Sequence, residues 1–301
     1  MDQVPGSPQE PQNAQGDSLP GCYRHPDRTT GISCTRCEKP ICTDCMVSAS
    51  VGFQCPDCVR GGGGTGHTAQ ATVPRTIAGG TIASDPRLIT KILLGINAAV
   101  LIAVLATGDD LVDRLDMLGL AFDPNRAQLA GVAEGEWYRL VSAMFLHQQL
   151  PHFAFNMLSL WWLGPSLEAA LGRARFIALY LLSGLGGSAL SYLLAAQNQP
   201  SLGASGAIFG LLGATAVLMR RMNYDMKPVL ILLGLNLVFT FLWPNIAWQA
   251  HVGGLVVGAA VAFGMVHAPR ERRTQVHVAT CAVALLAIAA VVWVRTAQLM
   301  G

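Results

Sequence analysis

From Leu88 onward the chain alternates long apolar runs with short polar breaks, and seven runs stand out, centred near Ala98, Met157, Leu185, Gly210, Gly234, Val257 and Leu285. Each is roughly 15 to 22 residues, enough or nearly enough to cross a bilayer core as a helix. The pattern predicts an all-α polytopic membrane protein with seven transmembrane helices. The runs 229–243 and 250–266 are the short ones, where a re-entrant course competes with full crossing. Before residue 88 the pattern changes. Residues 1–20 are rich in Pro, Gln, Gly and Ser and predict a disordered tail. Residues 21–60 hold paired cysteines, and the Gly-, Thr- and Ala-rich stretch 61–86 reads as a flexible linker.

Charge fixes the expected topology. The amino terminus, with Asp2, Pro5, Pro8, Glu10 and Pro11, lacks the basic-then-apolar build of a signal peptide and is expected in the cytosol. The loops then predicted as inner carry Arg75, Arg87 and Lys91, then Arg173 and Arg175, then Arg220, Arg221 and Lys227, then Arg270, Arg272 and Arg273. Basic residues in the outer loops are confined to 107–139, where Arg114, Arg126 and Arg139 stand beside seven acids. The positive-inside rule is met for all seven crossings. Overall the chain is 52% hydrophobic and 13% charged, which places it in a membrane. A net charge of +2 without a long basic tract gives no reason to expect a nucleic-acid partner.

Polar side chains at membrane depth are costly, so His152, Asn156, Ser205, Asn236 and His251 are candidates for function. Ser205 lies in Gly203-Ala204-Ser205-Gly206, just after a Pro200-Ser201 break, and so at or near a helix start. Unpaired N–H groups gather there and favour a developing oxyanion, as acyl transfer requires. Ala250-His251 opens a later run followed by Gly254 and Gly258, and the same Gly-x-x-x-Gly spacing occurs at Gly206 and Gly210. Two such faces can pack closely and bring the imidazole to the serine hydroxyl. A serine–histidine dyad is expected, with no acidic third member, because Glu168 is the one acid in these runs and lies at the far end of its own. His152 and Asn156, four apart on one helix face, are side-chain donors for an oxyanion.

Taken in order, Glu136-Trp137-x-Arg139, His152-x-x-x-Asn156, Gly203-x-Ser205-Gly206 and Ala250-His251-x-x-Gly254-x-x-x-Gly258 resemble the rhomboid family of intramembrane serine proteases over about residues 88–270. The resemblance implies a six-helix core at 87–270 that cleaves transmembrane protein substrates. His152, Asn156 and the Ser205 amide would form its oxyanion hole. It also implies that Trp137 and Arg139 brace the first outer loop, that His147 organises polar contacts, and that Phe209 stacks on His251, whose orientation would then rest on packing alone. Residues 271–301 resemble the seventh helix of larger rhomboids and are expected to have no catalytic part. The competing reading is an inactive rhomboid-like protein that binds or escorts membrane clients. The expected location is a bacterial plasma membrane, with the site opening outward.

Seven of the eight cysteines lie between Cys22 and Cys58, which in a reducing cytosol favours metal over disulfides. The series Cys22-x-x-His25, Cys34-x-x-Cys37, Cys42-x-x-Cys45, Cys55-x-x-Cys58 supplies eight ligands, enough for two structural zinc ions. It resembles a B-box-like zinc finger, which implies interleaved sites of Cys22, His25, Cys42 and Cys45, and of Cys34, Cys37, Cys55 and Cys58. Cys55 and Cys58 stand where that family usually has histidines. Such a module suits a cytosolic protein partner. Cys281, alone in an apolar run, reads as packing.

Overall fold

The structure is a computed structural model, and it describes residues 19–49, 52–61, 75–80, 83–124, 127–242 and 246–301. The tail expected over 1–20 lies outside these up to residue 18, as do 62–74, 81 and 82 of the expected linker. Two compact units are present, divided between Val73 and Pro74.

The first unit has one short hairpin, β1 (Val47–Ser48) antiparallel to β2 (Phe53–Gln54), and a short helix, α1 (Pro56–Arg60). Pro56 takes the first helical position, where no N–H is needed, and Cys55 caps α1 by accepting the Cys58 N–H. The core is almost entirely sulfur: Cys22, Cys34, Cys42, Cys45, Cys55 and Cys58 surround the fully buried Ile41. So little apolar surface does not hold about 40 residues folded by itself.

The second unit runs α2 (Leu88–Thr107), α3 (Asp109–Leu115), the hairpin β3 (Ala121–Asp123) and β4 (Gln128–Ala130), and α4 (Arg139–Ser142). There follow α5 (Leu150–Leu171), α6 (Arg173–Leu194), α7 (Ser205–Arg221), α8 (Lys227–Leu242), α9 (Trp248–His267) and α10 (Arg273–Met300). The seven long helices, α2 and α5 to α10, fall on the seven apolar runs. By length and composition α2, α6, α9 and the segment Arg270–Met300 can cross a membrane, and α8 is a shorter apolar helix. Two helices differ for a physical reason. α5 carries His152, Asn156 and Glu168, and α7 is 17 residues long and built from small buried residues such as Ala207, Gly210 and Gly213. Large apolar side chains point outward instead, among them Ile102 on α2, Leu235 and Phe241 on α8, and Leu286 and Trp293 on α10. Lipid satisfies such a surface and water does not.

At the centre, α6, α7 and α9 pack through glycine. A Cβ on Gly254 would fall inside the carbonyl of Gly206, and one on Gly258 inside the backbone of Gly210. A Cβ on Gly187 would lie 2.6 Å from Ala250 O. The two Gly-x-x-x-Gly faces therefore meet backbone to backbone. Glu168, buried on α5, accepts the N–H groups of Ile89 and Thr90 at 2.9 Å and so caps α2 from 78 residues away. α10 packs on α6 and α9, with Tyr192 and Thr296 hydroxyls 2.9 Å apart.

Residues 75–80, within the stretch expected as flexible linker, instead form a fixed turn. Thr76 N donates to Gly80 O at 2.8 Å, Ala78 N donates to Ala170 O at 3.2 Å, and Ala78 is buried. Composition suggested mobility there, but small residues also let a chain lie flat against a helix end.

Candidate active site and metal clusters

Ser205 is the first residue of α7, and His251 lies in the first turn of α9. Because those two helices touch through Gly206 and Gly254, the side chains beside the contact are forced together. The Ser205 Oγ stands 2.8 Å from His251 Nε2. Phe209, one turn along α7, stacks on the imidazole with ring centres 4.2 Å apart and planes 10° from parallel.

Packing is not all that orients His251, contrary to the expectation from sequence. Thr240 of α8 places its Oγ1 2.7 Å from His251 Nδ1 and donates its own hydrogen to Asn236 O, also at 2.7 Å. With that hydrogen committed, Thr240 can only accept from the ring. The proton then belongs on Nδ1, leaving Nε2 with its lone pair toward Ser205. Nothing local to Thr240 signals this, since a threonine bonding the carbonyl four residues back is ordinary in an apolar helix.

Around the pair, Ile208 N is the first amide of α7 with an intrahelical acceptor, Ala204 O at 3.0 Å. The N–H groups of Ser205, Gly206 and Ala207 thus face the site at the positive end of the helix dipole. Gly203 has φ +124°, and a Cβ there would come 2.9 Å from His152 Nε2, so glycine is required both by backbone and by the imidazole lying on it. The His152 ring thus lies against Gly203, two residues before the serine. Asn156 is buried and donates one amide hydrogen to His152 O at 2.9 Å, with its second remaining for other acceptors.

His147 is fully buried, but neither ring nitrogen has a hydrogen-bond partner among the described residues. It packs against the His152 ring at 5.2 Å and edge-on against Phe153 at 5.4 Å. Arg139 is the loop brace. Its Nη1 donates to Asp116 Oδ1 at 2.8 Å and Asp116 O at 3.0 Å, and its Nε donates to Glu136 at 2.7 Å. Met117, next to Asp116, pairs with Ser201 through two backbone hydrogen bonds of 2.9 and 3.1 Å. The brace therefore reaches the strand-like segment that leads into Ser205. Trp137, in the same motif, is 65% exposed, and its carbonyl accepts Leu140 N at 3.1 Å.

The first unit gathers its ligands into two sets, Cys22, His25, Cys42 and Cys45, and Cys34, Cys37, Cys55 and Cys58, with donor atoms within 4.8 Å of one another in each. His25 Nδ1 lies 3.3 Å from Cys42 Sγ and 3.5 Å from Cys45 Sγ, and Cys37 Sγ lies 3.7 Å from Cys55 Sγ. A tetrahedral ion with bonds of about 2.0 to 2.3 Å needs donors roughly 3.5 to 3.8 Å apart. Both sets fit a metal ion. Burial opposes ionisation at Cys22 and Cys34, yet backbone N–H groups aimed at their sulfurs outweigh it and bring both thiols down to about 6. Burial and neighbouring thiols push Cys45 up to about 11.

Fold and site together define a polytopic helical membrane protein with a part-buried serine–histidine pair where three glycine-packed helices meet. A family model described as the rhomboid domain matches residues 134–268. YdcA of Bacillus subtilis (strain 168), which carries a rhomboid protease name, is 36% identical over 148 residues, 48% of this chain and 74% of YdcA. The rhomboid protease GluP of the same strain is 40% identical over 141 residues, 44% of this chain but only 27% of GluP. The rhomboid protease AarA of Providencia stuartii is 27% identical over 62% of this chain and 75% of AarA. The chain belongs to the rhomboid family and is an integral membrane protein.

Proposed function

We propose that the chain is an intramembrane serine endopeptidase that cleaves transmembrane protein substrates with Ser205 as nucleophile and His251 as base. The observation that carries this reading is the 2.8 Å approach of Ser205 Oγ to His251 Nε2 across the α7–α9 contact. In the proposed reaction Ser205 Oγ attacks the scissile carbonyl carbon while its proton passes to His251 Nε2. The imidazolium then returns that proton to the leaving amine as the C–N bond breaks. Water hydrolyses the resulting ester by the same relay in reverse. The amide of Ser205, with His152 and Asn156, is the proposed oxyanion hole. Thr240, accepting from Nδ1, stabilises the imidazolium, whose partners among the described residues are Thr240 and Ser205.

The two four-ligand sets are proposed to hold structural zinc in a B-box-like finger. Four protein donors close each site, so the ions would supply folding energy and no reactive water. With the amino terminus proposed as cytosolic, Ser205 opens toward the outer face of a bacterial plasma membrane. A serine-reactive fluorophosphonate probe tests the chemistry: the wild-type chain is expected to be labelled and Ser205→Ala is not. Equal labelling of both would assign the reactivity to another residue and overturn the dyad.

A further inference from the structure

At the end of the bundle opposite Ser205, Arg75, Arg175, Arg270, Arg272 and Arg273 surround a cavity of about 340 Å³, with Glu271 as its one acidic neighbour. α9 separates it from the dyad, carrying His251 in its first turn and ending at His267, and a 20-residue helix is about 30 Å long. None of the five guanidinium groups is in an ion pair among the described residues, and neither is Glu271. Five like charges around one hollow repel one another, and folding holds them there.

The walls are constructed, which distinguishes them from arginines that merely reach from helix ends into water. Arg175 Nε donates to His277 Nδ1 at 2.9 Å, and the buried His277 is fixed in that tautomer because its Nε2 lies 2.9 Å from Met265 O. The Thr76–Gly80 turn forms another wall, with Arg75 Nη1 donating to Gly79 O at 3.2 Å. Glycine is required there: Gly79 has φ +80°, and a Cβ on Gly80 would come 2.8 Å from Leu171 O. Arg175 Nη2 and the Arg273 guanidinium make no hydrogen bond within the described residues, so forked donors remain for a ligand.

We propose that this cavity binds a phosphate group, the anion whose tetrahedral oxygens match paired guanidinium forks. Its volume lies at the lower end of ligand pockets, which suits a headgroup or a free ion. Two sources carry that chemistry at a membrane surface, an acidic phospholipid and soluble phosphate.

The test is native mass spectrometry of the full chain in neutral detergent with phosphatidylglycerol or phosphatidylcholine, and a separate melting curve with inorganic phosphate. Wild type is expected to retain one phosphatidylglycerol and no phosphatidylcholine. Arg273→Gln, which removes no internal hydrogen bond, and Arg175→Gln/Arg273→Gln are expected to weaken retention about tenfold or more. Arg220→Gln/Arg221→Gln removes equal charge at the same end of the bundle, outside the cavity, and leaves retention unchanged. Stabilisation by inorganic phosphate that the cavity variants lose, without lipid retention, would make soluble phosphate the source. Absence of both effects, or equal loss in the Arg220/Arg221 variant, overturns the site.

Discussion

Thr240 Oγ1 donates its hydrogen to Asn236 O, so toward His251 Nδ1 it presents only lone pairs, and the imidazole must carry its proton on that nitrogen. Any imidazolium formed when Ser205 is deprotonated would keep the same partner, now as a charge-assisted hydrogen bond. Such bonds contribute about 1.5 to 3 kcal/mol, so Thr240→Val should lower kcat about 10- to 100-fold with little change in KM, and Thr240→Ser should restore most of it. Cleavage kinetics on a model transmembrane substrate check this, and an undiminished Thr240→Val rate removes Thr240 from the relay. Ser205 and His251 were legible as candidates in the sequence because a serine and a histidine inside apolar runs are conspicuous. Thr240 was not, because only the meeting of α8 with α9 gives it a second role. Arg139 was legible as a brace through its motif, whereas its partner Asp116 was hidden among the several acids of the same loop.

The contact between α7 and α9 is what turns two distant side chains into a pair, and its tolerance is a fraction of an ångström. A Cβ on Gly254 would overlap the Gly206 carbonyl, so Gly254→Ala must separate the helices and should cost about 1–3 kcal/mol of stability together with most activity. Gly234→Ala on α8 meets no atom within 4 Å and serves as the control, expected to be neutral or stabilising by up to about 1 kcal/mol. Thermal unfolding of the two variants in one detergent compares them, and equal stability would mean the glycine contact is not the constraint described. Apolar run length located the seven long helices, and the repeated Gly-x-x-x-Gly spacing identified the faces that meet. The turn at 75–80 escaped that reading, because glycine and threonine say nothing about whether a neighbouring helix end is there to hold them. The capping of α2 by Glu168 escaped it too, since the acid lies 78 residues from the amides it accepts.

The whole molecule joins two units built on different physics, a helical bundle turned outward to lipid and a small domain whose core is thiols. Their stabilities should separate. Chelation, or Cys34→Ser, is expected to expose residues 22–58 to protease while the helical signal of the bundle is retained, and protease resistance after metal removal would contradict a metal-held fold. Spacing made all eight ligands readable in the sequence, the resemblance to a B-box implied their grouping, and the structure gathers the donors into those same two sets of four. For the bundle, the central claim is peptide-bond cleavage by Ser205 within a membrane protein. The most direct measurement is mass spectrometry of a transmembrane model substrate after incubation with the reconstituted full chain. New termini are predicted with the wild type and none with Ser205→Ala, and the same products in equal yield from both would contradict the account.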